Sequence, residues 1–275
     1  MSRKISFIGT GNMAGAIIKG IMSSGSFSAS DIILFDRDPS KYSQFSEYGL
    51  KSADSIRAAV EESYFTVLSV KPQNYSEVLS EIGRIRESAE KRVFISLAAG
   101  ISTDLICKKI GTEVPVIRTM PNTPLLIGYG VTALCRNGLV TDDDFELIKN
   151  MFSSSGKAFV LPESEMNSII SVTSSSPAYI YKFIEALCKG AEEQGIGFEG
   201  LTEAVCDTLI GAACMVKTSG RDVSDLIRMV TSPHGTTERA MNVLSERGFS
   251  ESVRDAMKAC TARAEEMARE LEEKN

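Results

Sequence analysis

Lys4-Ile5-Ser6-Phe7-Ile8-Gly9-Thr10-Gly11-Asn12-Met13-Ala14 stands near the start of the chain, and an apolar-periodic run continues from it to Ser24. Its physical reading is a strand, a tight turn and the first turns of a helix. Gly9 can supply the positive φ of the turn, and Gly11, lacking a Cβ, lets a pyrophosphate approach the backbone. Ala14 takes the third small position, where helix packs on strand. The unpaired N–H groups of the helix start, and its dipole, favour a phosphate there. A lone G-x-G-x-x-A is a common pattern; the strand before it and the helix after it are what the motif requires. The stretch therefore points to dinucleotide binding, with Gly9, Thr10, Gly11, Asn12, Met13 and Ala14 as candidate contacts.

Further along the chain, Asp31–Asp36 reads as a buried strand closing on an acid. At the end of the second strand of a dinucleotide fold, an acid bonds the adenosine ribose 2′-OH. Asp36 in that position favours NAD(H), whereas Arg37 directly after it suits a 2′-phosphate; the two pull in opposite directions. A surface turn before Pro39 is the simpler alternative. Lys41–Tyr48 is expected to be a short helix ended by Gly49. Tyr64–Val70 is a near-continuous apolar run of the kind buried on both faces of a parallel sheet. It ends in Lys71-Pro72-Gln73, so Val70, Lys71 and Pro72 fall at a sheet edge where ligands bind. Helix Tyr75–Ile85 follows. The strand Arg92–Leu97 then leads into Ala98-Ala99-Gly100, small residues over which a cofactor could lie. After helix Leu105–Ile110, the strand Pro115–Thr119 runs into Met120-Pro121-Asn122-Thr123-Pro124, a stiff loop placed to face a nicotinamide. Val131–Cys135 and Lys157–Leu161 read as further strands around a helix, Asp142–Ser153, with Thr141 as its N-cap.

From about Pro162 strand-like runs give way to helices: Glu163–Thr173, Ala178–Gln194, Leu201–Ser219, Asp222–Met229, Glu238–Arg247, and a last helix from an N-cap at Ser250 to near Lys274. This sets a boundary between residues 1–161 and 162–275. In the last helix Val253, Met257, Cys260, Ala264, Met267 and Leu271 alternate spacings of four and three, a heptad seam. A seam on so long a helix suits a homodimer, although a stripe packed within its own subunit has the same spacing. Thr231–Thr237 is a polar loop entering a helix.

The composition narrows the function classes. A net charge of −6 leaves no footprint for nucleic acid or an anionic membrane. Hydrophobic residues at 43% suffice for a full core. No apolar run reaches the ~20 residues of a membrane span, and the N-terminal residues show no leader pattern. Six scattered cysteines without a C-x-x-C pair suggest reduced thiols and a cytoplasmic location. With one histidine, no metal site is expected.

Phe7–Ala14, Val70–Gln73, Ser96–Ile101, Met120–Pro124, Ser175–Tyr179 and Ser232-Pro233-His234-Gly235-Thr236-Thr237, in that order, make a sequence that closely resembles the pyrroline-5-carboxylate reductases over nearly its whole length. The resemblance implies an α/β N-terminal Rossmann dinucleotide-binding domain followed by an all-α C-terminal dimerisation domain. It implies reduction of a small cyclic imine carboxylate to L-proline with NADPH or NADH, the last step of proline biosynthesis. It also implies a homodimer of interleaved helices that can assemble further into a decamer. Ser232, Gly235, Thr236, Thr237 and Asn122 become candidate substrate contacts. The loop leads into a helix N-terminus, and its N–H groups with the Ser232 and Thr237 hydroxyls make a plausible anion cradle. No acid–base dyad is evident, and Thr237 and Ser232 are the candidate catalytic groups. Two departures stand out. His234 replaces a glycine usual in the family, and Ser174-Ser175-Ser176 replaces a usual Gly-Ser-Gly. The competing readings are a β-hydroxyacid or other imine reductase of the same superfamily and a dinucleotide-binding regulator without turnover. The former needs Lys and Asn one turn apart, but Lys182 is followed by Ala186.

Overall fold

The apolar runs predicted as strands are short and separated by helical segments, a pattern that buries both faces of a parallel sheet. The computed structural model describes residues 3–273. In chain order its sheet-forming part holds β1 (Ile5–Ile8), α1 (Asn12–Ser24), β2 (Ile32–Phe35), β3 (Lys51–Ser52), α2 (Ile56–Glu62) and β4 (Phe65–Leu68). These are followed by α3 (Tyr75–Gly83), α4 (Arg86–Ala89), β5 (Val93–Ser96), α5 (Thr103–Ile110), β6 (Val116–Met120), β7 (Gly130–Arg136), α6 (Asp142–Ser153) and β8 (Gly156–Val160). The eight strands lie in the order β3-β2-β1-β4-β5-β6-β7-β8. All neighbours are parallel except β6 and β7, which pair antiparallel with Arg118 opposite Cys135. Every position of β1, β4, β5 and β6 is buried. One face packs Phe7, Ile17, Phe65 and Phe152 together, and the other packs Leu68, Tyr75, Phe94 and Ile106. Ser55, Ser102 and Thr141 cap α2, α5 and α6 through their hydroxyls.

Two segments fold differently from the periodicity. Pro39–Tyr48 is 3₁₀ rather than α-helical. Its apolar residues Tyr42, Phe45 and Tyr48 recur every third position, which matches three residues per turn, and all three pack on the core. The helix expected over Glu163–Thr173 is a 3₁₀ turn at Glu163–Glu165 followed by a π-helical turn at Ile170–Ser174. The strand β3 and the helix α2 carried no clear signal, being two and seven residues long.

Packing divides the chain into two compact units. The first comprises residues up to Ser175 together with those from Ala259 onward; the second is Ser176–Lys258. The change of texture at 162 therefore precedes the break in packing. Residues 163–175 are held on the sheet by buried Arg118, which donates to Asn167 Oδ1 at 2.5 Å and faces Glu163 at 3.6 Å.

The second unit contains α7 (Ser176–Glu193), α8 (Leu201–Thr218), α9 (Val223–Met229), α10 (Thr236–Glu246) and the first turns of α11 (Phe249–Glu273). Ser250 lies inside α11 and is not its N-cap; the expected end near Lys274 lies outside the described residues. The heptad seam divides. Cys260 and Ala264 pack with Met120, Cys135 and Ile170, and Leu271 packs with Ile101 and Leu105, all within the first unit. The lower seam is thus an intrachain contact, contrary to a dimer seam along the whole helix. In the second unit no residue of α8, α9 or α10 is buried. Met215, Val223, Ile227, Met229 and Val230 line an apolar groove of about 320 Å³. No described helix is long and apolar enough to cross a membrane.

Candidate active site

The first turn after β1 is held by three separate contacts. Gly9 has φ +94°, and a Cβ there would lie 2.7 Å from the Ser69 carbonyl oxygen, so only glycine fits. Its N–H donates to Phe35 O at 2.8 Å, tying the turn to β2. Thr10 is fully buried, and Gln44 Nε2 donates to its carbonyl at 2.9 Å. Gly11 is the N-cap of α1, with no side chain capping that end and no acid in the first turn. A Cβ on Gly11 would enter open space. The bare helix end and the open volume above Gly11 fit a pyrophosphate, as the motif predicts. Ala14 is buried beneath, in the core.

This turn borders a cleft of about 480 Å³ over the C-terminal ends of β1, β2 and β4. Gly9, Gly11, Asp36, Arg37, Val70 and Lys71 line it, six of the predicted cofactor residues brought to one place. Lys41, Asn74, Glu77 and Glu81 also line it and were not anticipated; a polar helix face at a strand end carries no distinguishing spacing. The floor is rigid. Tyr75 is fully buried and donates to Leu68 O at 2.7 Å, with Ser96 Oγ 3.1 Å away. Burial pushes its phenol far above the ordinary range, so it is a neutral donor.

The acid–base pair at the end of β2 is arranged unequally. Asp36 Oδ2 accepts from Thr10 N at 2.8 Å and Thr10 Oγ1 at 3.2 Å; Oδ1 accepts from Asp38 N at 3.0 Å and Lys41 Nζ at 2.9 Å. Partial burial pushes this carboxyl up, but the Thr10 and Asp38 amides and Lys41 outweigh it and hold it below its usual value. Arg37 is exposed and reaches across to Glu77, at 2.9 and 3.1 Å to its two oxygens.

Several predicted contacts have other tasks. Thr10 spends its N–H and hydroxyl on Asp36. Gly100, at φ +78°, is small because α11 crosses it: a Cβ would lie 2.4 Å from Ala264 O. Ala98 is buried among Ile101, Leu105 and their neighbours, and Ala99 packs beside Ala264 and Cys260. Pro72 borders a separate small hollow with Ile101, Met267 and Leu271. At Gly100 small size therefore serves the packing of α11. Asn122, expected to meet substrate, is 6% exposed and bonds backbone at both ends of its amide. Its Oδ1 accepts from Val131 N at 2.9 Å and its Nδ2 donates to Thr173 O at 3.0 Å. Ser174 Oγ adds a bond to Pro121 O at 3.2 Å. The Pro-rich loop is thus fastened to the π-helical turn.

The remaining candidates stand on the second unit. Gly235 is the N-cap of α10, and no side chain caps that end. Gly235 N donates to Ser232 O at 3.0 Å, closing a tight turn. A Cβ on Gly235 would lie 2.4 Å from Ser232 Oγ. Ser232, Gly235, Thr236 and Thr237 thus surround an open helix N-terminus. His234, exposed, holds φ +60°, and its N–H donates to Glu238 Oε2 at 2.9 Å. It is the one non-glycine residue at positive φ among those described. Among the described residues no three His, Cys, Asp or Glu gather as a metal site.

Comparison with known proteins fits both parts. Residues 4–100 match the family of NADP oxidoreductases, coenzyme F420-dependent, and residues 163–267 match that of pyrroline-5-carboxylate reductase dimerisation. The pyrroline-5-carboxylate reductase of Escherichia coli K12 is 34% identical, over 98% of this chain and 100% of its own length. This chain belongs to the pyrroline-5-carboxylate reductase family. Among solved structures, the Coxiella burnetii pyrroline-5-carboxylate reductase superposes with a TM-score of 0.86 at 32% identity, covering 98% and 99% of the two chains. The Plasmodium falciparum pyrroline carboxylate reductase, solved with NADP bound, gives 0.88 at 26% identity, covering 96% and 98%. The Rossmann sheet with a helical C-terminal region is the family's architecture, and the chain is an oxidoreductase that uses a nicotinamide dinucleotide.

Proposed function

We propose that the chain reduces 1-pyrroline-5-carboxylate to L-proline with a reduced nicotinamide dinucleotide, the closing step of proline biosynthesis. The observation that carries this reading is family membership over essentially the full length, with the glycine-rich cleft and the Ser232–Thr237 turn both intact. When bound, the dinucleotide supplies the hydride. Gly9, Gly11 and the start of α1 hold its pyrophosphate. The substrate is a five-membered imine with one carboxylate. The α10 N-terminus, with the Ser232 and Thr237 hydroxyls, receives that carboxylate and fixes the ring. A protonated imine is already activated, so orientation and exclusion of water are the main demands on the protein. No side chain is required as general acid, and His234 serves the turn rather than the proton. Water or a Thr hydroxyl handles any remaining proton.

The second unit leaves Ile210, Val230 and Met229 more than half exposed. Apolar area of this extent favours burial against another copy, which accords with the dimerisation family matched there. The working form is a homo-oligomer, a dimer that assembles further toward a decamer in the cytoplasm.

The test is oxidation of NADPH and of NADH, each followed by absorbance with pyrroline-5-carboxylate. Fast, substrate-dependent decay is expected. Cofactor binding without turnover of this imine, or turnover only of a six-membered homologue, would overturn the assignment. Thr237→Val should lower kcat/KM about tenfold or more, the loss of one hydrogen bond to a charged group, ~1.5–3 kcal/mol. A change below about threefold would remove Thr237 from the site.

A further inference from the structure

We propose that Arg37, helped by Lys41, selects the dinucleotide that carries a 2′-phosphate, and that Asp36 is a positioning residue for the glycine-rich turn rather than a ligand of the ribose. The proposal rests on the reading of the cleft as a dinucleotide site and is independent of which imine is reduced.

A carboxylate offers about four lone-pair positions. Asp36 receives four donors: Thr10 N, Thr10 Oγ1, Asp38 N and Lys41 Nζ, at 2.8 to 3.2 Å. Its side chain is 8% exposed. A ribose 2′-OH arriving as a donor would find these positions taken, and would have to displace Lys41 and leave an ammonium beside it. Three of the four bonds come from the backbone or side chain of Thr10 and Asp38, so they hold the turn itself in shape. The acid has thus been drawn inward, to the protein.

Arg37 is arranged in the opposite sense. Its side chain is 59% exposed at the cleft rim, where it pairs with Glu77, itself 63% exposed. An exposed pair of this kind contributes little, so an incoming anion can take the guanidinium at small cost. Guanidinium and phosphate match in a two-bond geometry that a hydroxyl cannot use. Lys41 is 44% exposed and adds a second cation at the same end of the cleft. The acids that face this place are accounted for. Asp36 is saturated, Asp38 accepts from Ser40 N at 3.1 Å and Ser40 Oγ at 2.6 Å, and Glu77 is Arg37's own partner. Glu81 also borders the cleft, and Lys71 lies on the same rim as a third cation.

The experiment is calorimetric titration of the full chain with adenosine 2′,5′-bisphosphate and with 5′-AMP, which differ only in the 2′-phosphate and need no substrate. The wild type should bind the bisphosphate about tenfold or more tightly than AMP, the size expected of charge-assisted bonds to one phosphate. Arg37→Ala should remove most of that difference, leaving the smaller part due to Lys41, with AMP unchanged. Glu77→Gln, which frees Arg37, should tighten the bisphosphate alone. Asp36→Asn should weaken both fragments alike, because it loosens the turn. Lys41→Met, which leaves Asp36 its bonds from Thr10 and Asp38, should lower bisphosphate affinity selectively. Equal binding of the two fragments by the wild type would overturn the proposal. So would an Asp36→Asn that loses AMP and gains the bisphosphate, the signature of a carboxylate that held the ribose. Failure of both fragments to bind would overturn the cleft assignment and this proposal with it, whereas absence of imine turnover would bear on the substrate alone.

Discussion

Replacing Asn122 with alanine separates a structural clamp from a substrate contact. The amide spans two backbone groups far apart in sequence, Val131 N at 2.9 Å and Thr173 O at 3.0 Å, from a side chain 6% exposed. Alanine removes both partners. A buried polar group left unpaired costs ~1–3 kcal/mol, so two would cost ~2–6. Val131 and Thr173 are themselves half-buried, and water reaches them in part, which places the expected loss near ~2–4 kcal/mol. Urea denaturation at fixed protomer concentration should show the midpoint falling by roughly 1 M with little change in slope. Asn122→Asp refines the test. One oxygen still accepts from Val131 N, but the other faces the Thr173 carbonyl without a proton. The aspartate variant should therefore lose stability at neutral pH and recover part of it, relative to the wild type, as the carboxyl becomes protonated. If Asn122→Ala left the midpoint within about 0.2 M of the wild type, on the order of 0.2–0.6 kcal/mol at urea slopes of ~1–3 kcal/mol/M, while the imine KM rose, the amide would belong to the substrate and not to the clamp.

Other outcomes follow from single positions. At His234, φ +60° suits glycine and is a true outlier for a β-branched residue. His234→Gly should match or slightly exceed the wild type in denaturation midpoint, and His234→Val should lose ~1–2 kcal/mol; the reverse order would show that the imidazole itself stabilises the turn. Asp36 has its carboxyl held below its usual value, so its contribution is present above the unfolded value of about 3.9 and is lost as pH falls through the folded one. Asp36→Asn should accordingly flatten the acid limb of the stability profile, and an unchanged limb would deny the linkage. Cys135 is buried, and desolvation pushes its thiol up to about 12. It should resist alkylation of the native protein at pH 8 and react once the chain is unfolded in urea, as mass spectrometry would show. Gly9→Ala would force a Cβ to within 2.7 Å of Ser69 O at φ +94°. It should weaken binding of both adenosine fragments and cost ~1–3 kcal/mol.

The strand–turn–helix at the start of the chain was legible because each of its requirements is local. Positive φ at Gly9, the bare approach at Gly11 and the buried contact of Ala14 each follow from one residue's own geometry. The buried strands Phe65–Leu68 and Val93–Ser96 were legible for the same reason, since unbroken apolar runs between helices leave few arrangements but a covered parallel sheet. The Ser232–Thr237 turn announced its helix N-terminus through Ser, Pro and Gly. The three-residue spacing of Tyr42, Phe45 and Tyr48 was present but is too close to the helical spacing to separate 3₁₀ from α without the packing.

Partners distant in sequence were not legible. Small residues at 98–100 suit an overlying cofactor or an overlying helix equally well, and only the fold shows that Ala264 of the last helix approaches Gly100. Asp36 and Asn122 are polar residues at sheet edges, where a ligand and the protein's own backbone compete for the same side chain. Thr10 and Asp38 claim the first, and Val131 and Thr173 claim the second. The heptad seam of the last helix likewise has one spacing for two destinies: Ala264 and Leu271 bury themselves on the sheet unit, while Val253 stays exposed. Composition and spacing settle which kind of element a segment forms, because they act over one or two turns of chain. Which of several suitable partners satisfies a given side chain depends on what folding brings within about 3 Å of it, and that is a property of the assembled chain alone.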